Sequence, residues 1–409
     1  MKLGTSFWRL FASSGTSNLA DGVALVALPL LAASLTRDPV QISAIEAFSY
    51  LPWLLFAIPG GALVDRLDRR VVMAVGNTAR GLAFGGLALL VALDQASIWL
   101  VYLAVLVFGL IEVLYDSAAR AILPQVVGKQ LLDRGNSRLT VVEVAGNQFV
   151  GAPLGAVLFA AVAWWPILGA SAAYVVAALL ILAVRGQFRL ERAEPTTLRA
   201  DMAEGLRWLR SHRFLRGLTL SAGWFGVMQA MINGVMVLYA LETLGLSEAQ
   251  FGLLAACAAA GSLCGGILAP RLSDTFGRGP TLVGATVVSP VCLVGMGLTT
   301  SPWVSAGFFA LSAGAVTVWN VLSMSVRQAM IPVGLFGRVL GAYRMVIWGV
   351  IPVGALAGGV LAHATSLGTV FVVAGLGQLT AALWIGSLMR IHAAEISAAY
   401  RESSADAAR

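Results

Sequence analysis

Twelve apolar stretches, each about as long as the roughly 20 residues a helix needs to cross the hydrocarbon core of a bilayer, follow one another through this 409-residue chain. They read at residues 10–35, 39–64, 71–93, 97–122, 138–162, 164–184, 216–241, 247–270, 280–299, 302–326, 339–362 and 366–389. A chain in lipid has no water to satisfy its backbone groups, so this succession predicts an all-α membrane protein. Charged residues make up only 11% of the chain and hydrophobic ones 58%, against about 25% charged in an ordinary soluble domain. A water-soluble coat is excluded. The first span does not read as a cleaved signal peptide, because its apolar run is long and contains Asn18 and Asp21.

Several chemistries are absent. Lys2 and Lys129 are the only lysines, and neither closes a G-x-x-x-x-G-K-[ST] loop, so any pumping draws on a gradient or on a partner's ATPase. Cys257, Cys264 and Cys292 lie inside apolar runs without metal-ligand spacing and read as small packing residues; no metal and no cofactor is expected. His212, His363 and His392 are scattered, and no nucleophile-base-acid set points to an enzyme.

The net charge of +7 is distributed in short connections rather than along one stripe, which argues against nucleic acid. Basic residues follow the even-numbered spans: Arg66, Arg69 and Arg70 after the second, Lys129, Arg134 and Arg138 after the fourth, seven arginines from Arg185 to Arg213 after the sixth. Arg271 and Arg278 follow the eighth and Arg338 the tenth, whereas the alternate loops are nearly bare, with Arg37 the clear exception. The positive-inside rule therefore places both termini in the cytoplasm. Residues 186–213 divide the spans six and six, giving bundles at 1–185 and 214–390, a linker between them and a cytoplasmic tail at 391–409. Within the linker, Met202, Leu206 and Leu209 recur at helical spacing against Arg199, Glu204, Arg207 and Arg210, so an amphipathic helix lying on the membrane face is expected.

The chain also repeats itself. EVLYDSAARAILP at 112–124 aligns without a gap on NVLSMSVRQAMIP at 320–332, and in the same order Asp65 and Arg69 fall on Asp274 and Arg278, and GAPLGAVL at 151–158 on GALAGGVL at 354–361. Two homologous six-helix halves follow, as in transporters built from repeats around a central site.

These features resemble the major facilitator superfamily. Its loop pattern G-x-x-x-D-x-x-G-R-[KR] is met by Gly61, Asp65, Arg69 and Arg70, with Asp68 where the second glycine is expected; the copy after the eighth span keeps Asp274, Gly277 and Arg278. Gly146, Gly151, Pro153 and Gly155 resemble the superfamily's antiporter pattern in the fifth span, interrupted by Ala152. Asn18 to Asp21 with Pro29, EGLRWLRSH at 204–212, and NVLSMSVRQAMIP followed by Gly337 and Arg338 are most similar to the drug:proton antiporter branch that includes macrolide-efflux and enterobactin-export proteins. The resemblance implies twelve transmembrane helices in two six-helix bundles, a bacterial cytoplasmic membrane, alternating access, a monomer, and export in exchange for protons. It also implies that the third, sixth, ninth and twelfth spans lie outermost, against lipid. Of these, only the third holds an ionisable residue at depth, Arg80, read as near its cytoplasmic third.

Ionised side chains inside a membrane are costly and face protein or water, so each one retained carries a functional hypothesis. Asp21 falls near the middle of the first span, and Glu112, Asp116 and Arg120 are spaced by four along one face of the fourth. Glu143 and Asn147 are four apart in the fifth, and Arg344 lies a turn or two inside the eleventh. A carboxyl group in low-dielectric surroundings can take up and release a proton as access alternates. Asp21 and Glu112, with Asp116 and Glu143, are thus candidates for proton coupling; a static ion pair is the alternative for the deep acids. Gly61, Asp65, Arg69, Arg70, Arg120, Asp274, Gly277, Arg278 and Arg344 are candidates for a cytoplasmic gate of charge pairs, against the alternative of permanent loop-stapling contacts.

Asn18, Asn147, Trp224, Met228, Gln229, Asn233, Trp319 and Asn320 bring aromatic surface and a few hydrogen-bonding groups toward mid-membrane, suited to an amphipathic small molecule; helix packing is the plain alternative. An uptake symporter uses the same fold, and the fifth-span pattern is the feature that favours export.

Overall fold

A computed structural model describes residues 3–64, 67–127, 131–186, 188, 198–332 and 335–393. Its helices are α1 Thr5–Leu35, α2 Pro39–Val64, α3 Arg69–Ala92 and α4 Ile98–Val126. Helix α5 runs through Leu132–Val144, a π-helical turn Ala145–Gly151, and Ala152–Ala161, and is followed by α6 Trp164–Leu182. A shorter helix, α7 Leu198–Ser211, leads into α8 Arg213–Leu238, prolonged by a π-turn Tyr239–Thr243. Then come α9 Glu248–Phe276, α10 Arg278–Leu298, α11 Pro302–Met330, α12 in two parts (Phe336–Gly349 and Ile351–Ala364), and α13 Leu367–Ile391. Among the described residues there is no strand, as expected where every backbone group must be satisfied within its own segment.

Eleven of these segments are long and apolar enough to cross a membrane, and α2, with 26 residues and Glu46 as its single charged side chain, supplies the twelfth. Helix α1 begins a turn earlier than its apolar stretch and α4 ends a turn later, because amphipathic end turns carry the helices into the interface. Pro29, Pro124, Pro270 and Pro290 sit inside helices, as neighbouring segments allow in membranes.

The structure divides into two compact units, residues 1–195 with 240–256, and residues 196–239 with 257–409. In the first, α3 packs on α6 and α4, α1 on α6 and α5, and α2 on α4. The second repeats the pattern, with α10 on α13 and α11, and α8 on α13 and α12. Both crossings of the repeated GA-motifs depend on missing side chains. A Cβ on Gly151 or Gly155 of α5 would stand 2.6 or 2.7 Å from the carbonyl oxygens of Leu19 and Val23 in α1, and one on Gly354 or Gly358 of α12 would stand 2.3 Å from those of Val227 and Met231 in α8. Small residues four apart let two membrane helices touch backbone to backbone. The antiporter-like glycines of the fifth span are, in this structure, the contact surface for α1.

The linker helix packs against its own unit. Leu206, Trp208 and Leu209 of α7 join a core cluster of the second unit with Leu215, Val326, Val339 and Ala342. Gly205 lies against the Arg338 carbonyl, and Glu204 pairs with Arg338 at 2.5 Å. The apolar stripe of α7 is covered by the start of α12, whose own small and branched residues offer it a drier partner than the bilayer surface. Arg37, the exception among the bare loops, pairs with Glu242 at 3.6 Å within the first unit.

The close crossings give a direct expectation. Gly155→Ala and Gly358→Ala should each lower unfolding stability in detergent by about 1–3 kcal/mol through forced separation of the helices. Gly169→Ala, where a Cβ meets nothing within 4 Å, should leave the thermal midpoint unchanged.

Candidate functional site

The centre of the first unit is built around Arg80. It stands midway along α3, fully buried, which corrects the expectation that it lies in the cytoplasmic third of a helix facing lipid. A guanidinium cannot shed its proton at any biological pH, so burial obliges the fold to bring it counter-charge. Two carboxylates answer. Arg80 is ion-paired with Glu112 of α4, and its Nη1 lies 3.5 Å from Asp21 Oδ1 of α1. Tyr174 of α6 donates its hydroxyl to the same Asp21 oxygen at 2.7 Å. Four helices thus converge on three charges.

Aromatic rings insulate the cluster. The guanidinium carbon stands 4.9 Å from the ring centre of Phe108, 4.8 Å from that of Tyr115 and 5.6 Å from that of Tyr174, positions in which the ring faces attract a cation. Nη1 and Nε of Arg80 have no hydrogen-bond acceptor among the described residues. The Asp21 contact is therefore electrostatic, while the Glu112 contact is a hydrogen-bonded pair. One turn away toward the amino terminus of each helix, Ser17 donates to Asn77 at 3.2 Å and ties α1 to α3. The side chains of Asp21 and Glu112 keep 13% and 28% of their surface exposed, against none for Arg80. The acids are the members that keep exposed surface.

Asp116 lies one turn beyond Glu112, and Glu143 precedes the π-turn of α5; both have interacting neighbours. Asn147 sits in that π-turn, where its backbone carbonyl presses on Gly22 of α1. Asn18 donates to the Ser14 carbonyl at 2.9 Å, one turn back along its own helix.

At the end of the unit that carries the α2–α3 turn, Arg69 donates to the Ala121 carbonyl at 2.9 Å and Arg70 to that of Val184 at 3.0 Å. Asp68 caps α3 by accepting from the backbone N–H groups of Arg70 and Val71, which accounts for an aspartate where the motif expects glycine. Asp65 and the side-chain surroundings of Gly61 and Arg120 lie outside the described residues. In the second unit Asp274 and Arg278 are exposed, and Gly277 between them has φ of +85°, a conformation that favours glycine. Arg344 lies over the ring of Trp348 at 5.7 Å.

The candidate cargo residues separate into two groups. Trp224 donates to the Gly377 carbonyl at 2.9 Å, and Met228 is buried against Gly377, so both lean on α13. Gln229, Asn233 and Trp319 instead share a face with Phe225. Phe225 and Trp319 stack within 5° of parallel with ring centres 6.3 Å apart. Gln229 donates to Asn233 at 3.2 Å and accepts from Gln378 of α13 at 3.2 Å. Asn320 is exposed on α11 beside Trp319.

Sequence reasoning missed Arg80 as a site residue, together with Tyr174, Gln378 and Arg327. The signal for Arg80 was present: a lone arginine at mid-span implies a carboxylate on a neighbouring helix. Arg327 is 6% exposed and lies over Tyr343 at 3.8 Å, hydrogen-bonded to its hydroxyl and to Ser323 at 2.9 Å each.

The family described as transmembrane secretion effector matches residues 4–407 of the chain. Similar curated proteins include the enterobactin exporters of Citrobacter koseri, 26% identical over 348 residues, and Salmonella typhimurium, 24% identical over 348 residues. Each alignment covers 84% of this chain and 82% of the relative. Among solved structures, a bacterial homologue of the iron transporter ferroportin superposes with a TM-score of 0.77 at 17% identity, covering 95% of this chain and 99% of that one. The nucleoside transporter NupG gives 0.76 at 11% identity, covering 94% and 99%. At such identities these structures speak for the fold alone.

Arg80→Gln should destabilise the protein by about 3–5 kcal/mol, since it strands two acids in a site with their cation removed. Combining it with Asp21→Asn and Glu112→Gln should recover most of that loss. Chemical denaturation in detergent reads both.

Proposed function

Because the chain belongs to the transmembrane secretion effector family, we propose that it exports amphipathic small molecules from the bacterial cytoplasm in exchange for protons, by alternating access of two six-helix bundles. It is a multi-pass transport protein of the major facilitator type. The observation that carries the proton reading is the ratio of charges at Arg80: one guanidinium faces two carboxylates, Asp21 and Glu112, in a setting of aromatic rings.

With both acids ionised the cluster holds a net charge of −1, and in low dielectric that charge is stabilised either by water or by a proton. Arg80 neutralises one acid at a time. The other binds a proton when the cavity opens outward and releases it when cytoplasmic water enters. Asp21 is held by the Tyr174 hydroxyl and only loosely by Arg80, so moving the guanidinium from Glu112 to Asp21 needs a side-chain shift and no helix displacement. Asp116 and Glu143, nearer the cytoplasm, would serve as the exit for the proton.

The arginines of the α2–α3 turn, bonded to helix-end carbonyls, support a stapling role at that end of the bundle. Asp274, Gly277, Arg278 and Arg344 remain the proposed movable part of a cytoplasmic gate. The relatives named as enterobactin exporters support a small-molecule cargo, and the stacked rings of Phe225 and Trp319 support one that carries a ring as the class to test first. The bundle boundaries at 185 and 214, the inner membrane and cytoplasmic termini belong to the same proposal, supported by the basic loops and the bacterial relatives.

In reconstituted vesicles with an imposed pH gradient, screened with dyes, macrolides and siderophores, cargo should move against its gradient. Asp21→Asn or Glu112→Gln should lower that movement at least about tenfold, as loss of a proton-transfer group does, while cargo exchange without a gradient persists. Full proton-driven movement by the double variant would sink the proton role; accumulation that requires ATP would sink the energetic one.

A further inference from the structure

The duplication gives every residue of the ionic cluster a counterpart in the second unit, and the glycine contacts fix the register. The carbonyls of Leu19 and Val23 that receive Gly151 and Gly155 correspond to those of Val227 and Met231 that receive Gly354 and Gly358. In this register Asp21 falls on Gln229. The alignment of 112–124 on 320–332 sets Glu112 on Asn320, and that of Asp65 and Arg69 on Asp274 and Arg278 sets Arg80 on Ser289. A Cβ on Gly81 of α3 would approach the Ser171 carbonyl of α6, and one on Gly375 of α13 would approach the Pro290 carbonyl of α10. Ser171 thus matches Gly375, and Tyr174 matches Gln378.

One hydrogen bond matches as well. Tyr174 donates to Asp21 in the first unit, and Gln378 donates to Gln229 in the second. Arg80 joins α3 to α4, and Ser289 joins α10 to α11 through Ser312 at 2.9 Å. The Tyr174–Asp21 bond thus has an uncharged counterpart, whereas Ser289 bonds Ser312, at the position of Ala104, and the Arg80–Glu112 pair has none among the described residues. Gln378 and Ser289 are fully buried, as Arg80 is, whereas Gln229 is half-buried and Asn320 exposed, like the acids they replace. Among the described residues, the middle of α8, α10 and α13 holds no acidic or basic side chain.

We infer that the second unit carries an uncharged twin of the ionic cluster, and that Gln229 and Asn320 bind a neutral amide or hydroxyl group of the cargo while Trp319 and Phe225 receive its ring. Exposed amides at membrane depth are costly against lipid and require a polar partner. An amide offers both donor and acceptor and discriminates against a bare cation, for which the site supplies no counter-charge. Gln378 is a positioning residue: buried in α13, it acts through Gln229 and fixes the orientation of its amide. The cargo class narrows to ring-bearing neutral amides and alcohols, with protons handled in the first unit alone. This narrowing rests on the export reading, but cargo binding can be measured without it.

Binding to the purified full chain is read by quenching of the indole fluorescence that Trp319→Phe removes, using chloramphenicol and acetanilide as neutral ring amides and ethidium as a permanent cation. The neutral probes should bind and ethidium should not. Gln229→Ala and Asn320→Ala should each weaken binding about tenfold, the scale of a lost hydrogen bond left unpaired. Gln378→Leu should do the same and Gln378→Asn less, with thermal midpoints checking that each variant is folded. In vesicles, KM for a neutral probe should rise in these variants with kcat and the number of protons moved per cargo unchanged. Binding of ethidium alone or of no probe, or a variant that shifts the pH profile in place of KM, would overturn the twin-site assignment. Neutral binding that responds to these variants, without any gradient-driven movement in the parent, would leave the twin site standing and count against proton-coupled export.

Discussion

A guanidinium at the middle of a membrane helix is the constraint from which the first unit is organised. Arg80 cannot be neutralised, cannot reach either surface from the midpoint of α3, and cannot face lipid at an acceptable cost. Its presence therefore dictates that α1 and α4 bring carboxylates to it and that α6 brings a hydroxyl to the more loosely held acid. Removal of α3 from this arrangement would leave two acids without their cation, and removal of α6 would take the hydroxyl from Asp21. The cluster acts as a specification of helix order as much as a chemical site, in the way buried polar groups fix register in other assemblies. Aromatic surfaces from Phe108, Tyr115 and Tyr174 complete it, since their faces lower the cost of a cation without adding an anion.

The packing that holds these groups in place comes from glycine, and it is the same in both units. In a bilayer no hydrophobic force drives apolar helices together, so contact depends on how closely backbones approach. Gly151 and Gly155 seat α5 on α1, as Gly354 and Gly358 seat α12 on α8. With backbone geometry fixed by these contacts, side chains at the matching central positions were free to diverge. One unit kept acids around an arginine; the other holds amides around a serine pair. On the proposed reading, the duplicated fold would separate two tasks, since a group that changes charge with each proton is a variable host for a neutral ligand.

The helices and the two-fold repeat were legible in sequence because both rest on signals that survive without tertiary context: apolar length for the spans, and aligned strings such as EVLYDSAARAILP and NVLSMSVRQAMIP for the duplication. Asp21 and Glu112 were likewise visible as deep acids. Their partner was not, because Arg80 lies on a helix that the family arrangement places outermost, and a count along one span does not reveal which side of it faces protein. The packing partner of the linker helix was not legible either. Its amphipathic stripe is real, but periodicity states only that one face is apolar, and the choice between bilayer and the start of α12 depends on Gly205 admitting the Arg338 carbonyl, a contact with no sequence signature. Trp224 and Met228, similarly, share the depth of the amide strip but turn toward α13.

Depth and exposure together determine what the charged cluster can do. Were all three charges sealed, the pair Arg80–Glu112 with Asp21 would be a permanent strut, and its value would be structural. Asp21 and Glu112 instead keep some exposed surface while Arg80 has none, which is what the proposed proton exchange at the acids would require. The weaker of the two contacts, 3.5 Å and without a hydrogen bond at Arg80 Nη1, is the one to Asp21. Under the proposed exchange of cargo for protons, the imbalance of one negative charge beside a fixed positive one is what would let the cluster take up a proton; a balanced pair would have no reason to do so.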